Sequence, residues 1–199
     1  MKTSLRTSPI PFLGAFLLFA LGGCIRFEPV EDPTRTYLLT PMAIDAAVEE
    51  DGLRVSVERV LLPTYLEDRR ILLRKAGAEV VPLEFSRWAE PLAHGIARVV
   101  AGNLASHPAV EDVSFYPWQE IDPEFIRLRV KVLEFDATRG GAVRLEVLTE
   151  ILGPGKPAEV SARMRNSFES PIQGEGTAAV VEGYSEVLRQ YSEALLHEL

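Results

Sequence analysis

The feature that most constrains the fold is a long alternation of apolar and polar side chains between residues 126 and 168. The alternation begins at Ile126, and its parity changes at Leu133, which predicts a bulge within the first strand. Glycine-containing turns at residues 139–141 and 153–157 divide the region into three segments. A period of two is typical of strands with one buried face. We therefore predict three long, successive antiparallel strands.

Shorter strands precede this region, and two stretches with helical spacing complete the pattern. The strand candidates are Tyr37–Leu39, Leu53–Val60, Ile71–Arg74, Val80–Phe85 and Val113–Tyr116. Ser86 is the predicted N-cap of a helix whose apolar stripe begins at Trp88 and ends near His107. A second stripe, from Val181 to Leu195, predicts a closing helix. The sequence thus predicts an α+β fold, in which a mixed, mostly antiparallel sheet carries two amphipathic helices packed on one face of a single domain.

The first 24 residues predict a bacterial lipoprotein signal. Lys2 and Arg6 precede an apolar run of about a dozen residues, which is shorter than the roughly 20 residues that a membrane-spanning helix needs. The run ends in Leu21-Gly22-Gly23-Cys24, where the thiol of Cys24 is the group that would be alkylated to a lipid. An ordinary secretory leader with an incidental cysteine is the alternative interpretation.

Cleavage before Cys24 would divide the chain into three segments. We predict a removed signal peptide at residues 1–23, a lipidated tether at residues 24–36 and one folded domain at residues 37–199. Neither of the two residues directly after Cys24 is an aspartate. In enterobacteria, an aspartate there is the signal for retention at the inner membrane. An outer-membrane address is therefore favoured over the inner membrane, with the domain facing the periplasm.

The charge of the chain argues against nucleic acid as a partner. The sequence carries 21 basic and 29 acidic residues, for a formal net charge of −8. Removal of residues 1–23 takes away two basic residues and no acidic one, so the mature chain carries −10. Such a surface repels a phosphate backbone. Because Cys24 is the only cysteine, lipidation leaves no thiol for a disulfide within one chain, and stability must come from packing.

The sequence offers little material for catalysis or for a metal site. His94 follows Glu90 by four residues, which could place both on one helix face, but a solvated helix surface explains the pair. Glu120, Asp122 and Glu124 could act as paired carboxylates in glycoside hydrolysis, yet their proline-flanked segment is more typical of a solvated loop. Neither a nucleophile elbow nor a phosphate-binding glycine loop occurs. We predict no catalytic residue, no metal site and no cofactor, and hence no enzyme.

Two segments suit contact with a partner better than chemistry. Tyr65-Leu66 and Tyr116-Pro117-Trp118 put large apolar side chains at strand ends, where partners dock. The alternative is that these side chains cap the core beneath loops.

A set of basic residues could form a stripe on the outer face of the sheet. Its members are Arg127, Arg129, Lys131, Arg163 and Arg165. The alternative, which we favour, is that they pair across strands with Glu146 and Glu150.

Several segments together resemble a known family. They are the lipobox, Tyr37-Leu38-Leu39-Thr40-Pro41, Leu62-Pro63-Thr64-Tyr65-Leu66 running into Ile71-Leu72-Leu73-Arg74, and Arg87-Trp88-Ala89-Glu90-Pro91-Leu92 with Asn103-Leu104. Over essentially its whole mature length the chain resembles the auxiliary lipoproteins of ABC-type transporters, of the PqiC or YmbA kind. It departs from them at residues 68–71, Asp-Arg-Arg-Ile, which lack the proline and glutamine that are frequent there.

The resemblance implies a non-enzymatic subunit of a lipid-trafficking system that spans the cell envelope. The implied partners are an MCE-domain protein, ABC or integral membrane transporter subunits, and the membrane itself through the lipid on Cys24. The resemblance also implies assembly into a homo-oligomeric ring. The expected partner contacts are Tyr65, Leu66, Arg87, Trp88 and Trp118, although a core role is the alternative for Trp88. The competing class is a free-standing envelope lipoprotein, either a structural assembly factor or a hydrolase without a recognisable motif.

Overall fold

The computed structural model describes residues 31–43, 51–75, 77–117, 122–155 and 159–199. Its strands are β1 (Arg35–Tyr37), β2 (Leu53–Val57), β3 (Arg70–Arg74), β4 (Val80–Trp88), β5 (Val110–Phe115), β6 (Ile126–Thr138), β7 (Ala142–Leu152) and β8 (Val160–Pro171). The α-helices are α1 (Leu92–Ala105) and α2 (Gly176–Leu196), and a 3₁₀ helix spans Thr64–Leu66. Within these described ranges, all eight strands belong to one sheet.

The strands β6, β7 and β8 form the antiparallel meander that the sequence predicts. Along β7, alternate residues from Val143 to Ile151 are buried, while the residues between them are more exposed. The register between β6 and β7 shifts between Val132 and Glu134, which confirms the predicted bulge. Because the bulge changes the parity of β6, Phe135 returns to the buried face.

The other edge of β6 carries two separate short strands. The strand β2 pairs in parallel with the start of β6, with Val55 opposite Ile126, and β3 pairs in parallel with its end, with Leu73 opposite Ala137. The sheet continues beyond β2 into β5, and beyond β3 into β4 and then β1. Four pairings are parallel, but the two longest are antiparallel. The mixed, mostly antiparallel sheet of the predicted α+β fold is thus confirmed.

Both helices pack on one face of the sheet, as predicted. Helix α1 contacts β2 and β5, α2 contacts β6, β7 and β8, and the two helices contact each other. A buried hydrogen bond from Asn103 Nδ2 to Ser192 Oγ, 3.2 Å long, joins the helices. One continuous apolar cluster runs through the sheet and both helices, and residues Pro33–Leu199 form one unit. In the described part of the chain, no helix is both long and apolar enough to cross a membrane.

The start of α1 differs from the prediction. The helix begins at Leu92 with Pro91 as its N-cap, whereas Ser86 and Trp88 lie in β4. The strand β4 is longer than predicted because β1 pairs with its last three residues, with Tyr37 opposite Trp88. This pairing joins segments that are distant in the sequence, so local spacing could not reveal it.

Candidate functional site

Four of the five predicted contact residues lie around β3. Tyr65 and Leu66 belong to the 3₁₀ helix that immediately precedes this strand, and Arg87 and Trp88 end the neighbouring strand β4. The fifth, Trp118, lies outside the described residues. The fold therefore brings together residues that the sequence separates by about 20 positions.

The Tyr65 hydroxyl is committed to a buried carboxylate. It donates a hydrogen bond to Asp136 Oδ1 at 3.0 Å, and Arg74 Nε donates to Asp136 Oδ2 at 2.8 Å. Asp136 is only 4% exposed, and the two donors supply the partners that a buried carboxylate requires. Burial, and next the charge of Asp136, raises the pKa of Tyr65 to about 12. Half-buried Tyr65 thus ties the 3₁₀ helix to β6, while Leu66 packs in the core.

Trp88 is a core residue at the end of β4. It is 4% exposed, and its ring meets Tyr184 of α2 at a right angle, with centroids 5.4 Å apart. Tyr184 in turn meets Phe135 of β6 edge-to-face at 4.6 Å. Such aromatic pairs contribute about 0.5–1.5 kcal/mol beyond area burial. This burial supports the interpretation of Trp88 as a core residue. Its indole lies beneath the exposed side chains of its neighbours.

An irregular stretch of β4 projects Phe85 into solvent. In the pairing of β3 with β4, residues 83–86 stand opposite Ile71 alone. Phe85 has a φ of 55° and is 57% exposed. A bulky side chain rarely adopts this left-handed conformation, and backbone strain of this kind concentrates at functional sites. Sequence analysis missed Phe85 because a bulge that is built without glycine leaves no compositional signal.

The bulge is attached to the start of α2. Ser86 Oγ lies 3.1 Å from Thr177 Oγ1. From Phe85 to Trp88 the side chains alternate between exposed and buried, so Phe85 and Arg87 project from the same side of the strand. We call these two exposed residues the β4 surface.

A cleft of about 480 Å³ opens next to the bulge. The apolar residues that line it are Leu73 of β3, Leu83 of the bulge, Ile172 and Val180, while Arg139 and Glu175 contribute opposite charges. A lining of this composition suits the binding of an apolar group. The β4 region thus offers a protruding aromatic ring and an apolar recess close together.

Glu90, which was considered together with His94 for metal binding, also contacts an arginine. Glu90 lies 3.6 Å from His94 Nε2 and 2.7 Å from the Arg98 guanidinium. Arg98 also donates to the Leu39 carbonyl at 2.8 Å, so this group holds β1 and its following residues against α1. Among the described residues, no group of three or more His, Cys, Asp or Glu side chains could hold a metal ion.

The acidic loop considered for glycoside chemistry is tied to β2. Asp122 and Glu124 pair with Arg54 at 3.1 and 2.8 Å, respectively. The Arg54 guanidinium lies 4.4 Å from the centre of the Phe125 ring, within cation–π range. Glu120 lies outside the described residues.

Three of the five basic residues of the outer sheet face, Arg129, Arg163 and Arg165, pair across strands with Glu146 or Glu150, as the favoured interpretation predicts. Arg127 lies near Glu58 instead. Arg163 Nε donates to Glu150 at 2.8 Å, and Arg165 Nε donates to Glu146 at 2.7 Å. The hydrogen bond from Arg163 is the main reason that the pKa of Glu150 lies below its usual value. Because solvent weakens exposed ion pairs, their main effect is to balance charge on the open face.

Comparison with known proteins supports both fold and family. A crystal structure of an uncharacterized protein aligns with a TM-score of 0.68 at 21% identity, over 83% of this chain and 98% of the other. Protein XCC0632 from Xanthomonas campestris, of the DUF330 family, aligns with a TM-score of 0.66 at 18% identity, over 81% and 92%. At these identities the likeness shows the fold alone. No curated protein matches the sequence. The family model for the ABC-type transport auxiliary lipoprotein component matches residues 37–195, and the chain belongs to that family.

Proposed function

We propose that the protein is a lipid-anchored accessory subunit of an envelope-spanning lipid-trafficking system and acts by docking, not by catalysis. Its partners would be an MCE-domain protein and the subunits of an ABC-type transporter. The lipid on Cys24 would hold it at the outer membrane, with the domain in the periplasm. Family membership supports the role beside a transporter. The observation that carries docking is Phe85, an aromatic ring held exposed by a strained backbone.

The chemistry of the β4 surface supports contact with another protein. Aromatic and arginine side chains supply much of the binding energy at protein interfaces, and Phe85 and Arg87 provide one of each. Because Ser86 is fixed to Thr177, the bulge is already ordered before a partner arrives. Preorganisation of this kind reduces the entropic cost of binding.

The position of β1 supports docking close to the membrane. Arg35 of β1 stands opposite Ser86, so the segment that leads from Cys24 enters the domain beside the β4 surface. At about 3.3 Å per residue, an extended tether would reach roughly 36 Å from Cys24 to Arg35. A partner bound at the β4 surface would therefore remain within reach of the same membrane.

The test is an affinity pull-down of the full-length lipidated protein from crosslinked envelopes, followed by mass spectrometry. The test variant combines Phe85→Asn with Arg87→Glu, because asparagine tolerates positive φ and preserves the bulge. The matched control combines Leu61→Ser with Arg59→Glu. Leu61 is 55% exposed, and the two residues have the same spacing in the segment after β2, where Leu61 forms a single bridge to Lys131 of β6.

We expect the wild type and the control to recover an MCE-domain protein together with a permease or ATPase. The test variant should lose about ten-fold of this recovery, which corresponds to about 1.4 kcal/mol of binding free energy. Equal recovery by both variants would exclude the β4 surface as the contact. Recovery of none of these partners by a wild-type bait in good yield would favour a free-standing envelope lipoprotein.

A further inference from the structure

The helices leave part of the β3–β4 hairpin uncovered. Helix α1 packs on β2 and β5, and α2 packs on β6, β7 and β8. On the hairpin, Leu73 of β3 stands opposite Val81 of β4. Val81 and Leu83 are only partly buried against the core, and Leu83 lines the cleft beside the bulge. The hairpin therefore presents apolar side chains to this cleft.

A second hollow, of about 820 Å³, lies next to the cleft, and Leu73 and Arg139 line both. The two volumes, about 480 and 820 Å³, are typical of small-molecule sites. We call the cleft and the hollow together the hairpin cleft. Its first half is lined mainly by apolar side chains, whereas Arg74, Lys75 and Arg139 line the second half. The hairpin cleft is thus apolar at one end and rich in cations at the other.

Arg139 is the cation that is available to a ligand. Arg74 Nε donates to Asp136 at 2.8 Å, and Lys75 Nζ donates to Glu79 at 3.1 Å. Within the described part of the chain, the exposed Arg139 guanidinium has neither an ion pair nor a hydrogen bond. A guanidinium can donate two parallel hydrogen bonds to a phosphate group. Arg139 could therefore bind an anion where the two halves of the cleft meet.

The turn that carries Arg139 is well held. Gly140 has a φ of 64°, a conformation that favours glycine. The Gly141 N–H donates to the Thr138 carbonyl at 3.0 Å, and the Gly141 carbonyl accepts from the Ile172 N–H at 2.9 Å. The backbone beside Arg139 is therefore ordered before a ligand arrives, which lowers the entropic cost of binding.

We propose that the hairpin cleft binds one acyl chain of a membrane glycerophospholipid while Arg139 binds its phosphate. The chain would lie in the apolar half, against Leu83, Ile172 and Val180. Burial of these side chains and of the acyl chain removes apolar surface from water. This assignment rests on the proposed role in lipid trafficking and names the ligand of this subunit.

The apolar half suits an acyl chain better than a peptide. A peptide would bring main-chain N–H and C=O groups that need hydrogen-bond partners, which apolar side chains do not supply. The cleft also opens beside the bulge of β4, whose Ser86 stands opposite Arg35 of β1. The tether from Cys24 would keep this region within roughly 36 Å of the membrane. The remainder of the lipid would lie beside the β4 surface, where the proposed partner docks.

Photocrosslinking in cells grown with radioactive phosphate tests the ligand directly. The photoreactive residue p-benzoylphenylalanine replaces Leu83 in the full-length protein, with Ile172 as a second position in the same half of the cleft. The matched control replaces Glu84, which is exposed and does not line the cleft. After irradiation, the protein is purified under denaturing conditions and its label is counted. A diacylglycerol linked to Cys24 contains no phosphate and adds no label.

We expect about ten-fold more label at position 83 or 172 than at position 84, because only the first two side chains would touch the ligand. Phospholipase C, which cuts between glycerol and phosphate, should remove this label, whereas a crosslinked lipopolysaccharide would keep it. Position 172 decides the result if the protein changed at position 83 does not accumulate. Equal label at all positions would indicate chance contact with the bilayer and overturn the proposal. An unlabelled crosslink to protein or to the Cys24 lipid would also overturn it.

Charge variants test the phosphate contact in the protein that carries the photoreactive residue at position 83. Arg139→Glu should lower the label about ten-fold, the loss expected for one charge-assisted contact. Arg139→Lys keeps the charge without the bidentate geometry, so its label should be intermediate. The matched control is Arg144→Glu, at an exposed position outside the cleft, and it should keep the full label. Equal label in Arg139→Glu and Arg144→Glu would overturn the assignment of the phosphate to Arg139.

A native pull-down from the same cells separates lipid binding from docking. A protein that recovers the MCE-domain partner but carries no label would overturn lipid binding in the hairpin cleft and leave the proposed function intact. A protein that carries the label but recovers no partner would support the cleft and contradict docking.

Discussion

Trp88 of β4 meets Tyr184 of α2 edge-to-face, with ring centroids 5.4 Å apart and ring planes at 84°. This contact joins the strand that carries the exposed β4 surface to the helix that covers β6, β7 and β8. Tyr184 also donates a hydrogen bond to the Leu72 carbonyl of β3 at 3.3 Å. The exposed Phe85 and Arg87 therefore stand on a support built from three parts of the fold.

Loss of the Trp88 ring from this support should destabilise the protein strongly. Trp88→Ala would leave a cavity at a site that is only 4% exposed, and we expect the free energy of unfolding to fall by about 3–5 kcal/mol. Urea denaturation followed by circular dichroism measures the change. Exposed Arg87 provides the control, since Arg87→Ala should change stability by no more than about 0.5 kcal/mol. A Trp88→Ala variant as stable as Arg87→Ala would contradict the core role of Trp88.

The raised pKa of Tyr65 predicts a loss of stability at alkaline pH. Its usual pKa of 10.0 applies to the unfolded chain, and the folded chain raises it to about 12. The folded state therefore holds the proton more tightly, and this contribution is complete below pH 10 and is lost as the pH rises through 12. Burial also raises the pKa of Tyr184 and Tyr191. Urea midpoints should stay level from about pH 8 to about pH 10 and fall from there to about pH 12.

The variant Tyr65→Phe isolates the contribution of Tyr65. It removes one donor from buried Asp136, and a hydrogen bond to a charged group contributes about 1.5–3 kcal/mol. We expect a loss of this size at neutral pH and a shallower decline between pH 10 and pH 12 than in the wild type. If stability declined between pH 10 and pH 12 as steeply as in the wild type, the whole effect would come from Tyr184 and Tyr191.

A close approach of α2 to β7 depends on Gly183. A Cβ added at this position would lie 2.8 Å from Val143 Cγ2. Alanine is favoured over glycine in helices by about 1 kcal/mol, yet overpacking costs about 1–3 kcal/mol. We therefore expect Gly183→Ala to lower the free energy of unfolding, as measured by urea denaturation.

A double variant tests whether this loss comes from the contact itself. Val143→Ala removes the methyl groups that the new Cβ would meet, so Gly183→Ala should cost less in that background than in the wild type. Residues in contact show interaction energies of about 0.5–3 kcal/mol in such cycles. If the losses of stability from the two substitutions simply added, the crowding would come from a contact other than the one with Val143.

Local sequence patterns predicted the parts of the fold that neighbouring segments build. The β6–β8 meander, the bulge after Val132 and the closing helix all follow from residue spacing within one stretch of chain. The β1–β4 pairing could not be predicted this way, because its hydrogen bonds join distant segments, and it explains why Trp88 lies in a strand instead of starting α1. The candidate site shows the same limit. The resemblance pointed to Arg87, whereas Phe85 became evident only from its φ and its exposure.

Loss of the lipid should release the domain from the membrane. Cys24 is the predicted attachment point, and one acyl chain gives only marginal membrane binding, whereas two or more anchor stably. We expect wild-type protein to remain with the membrane fraction after a high-salt wash, with mass spectrometry detecting acylation at Cys24. Cys24→Ser, made with an ordinary cleavable secretory leader in place of residues 1–23 so that no apolar leader is retained, should move to the soluble fraction. If Cys24→Ser instead stays with membranes and adding Phe85→Asn releases it, docking at the β4 surface would be sufficient for retention. A wild-type chain with an unmodified thiol would exclude the lipid anchor.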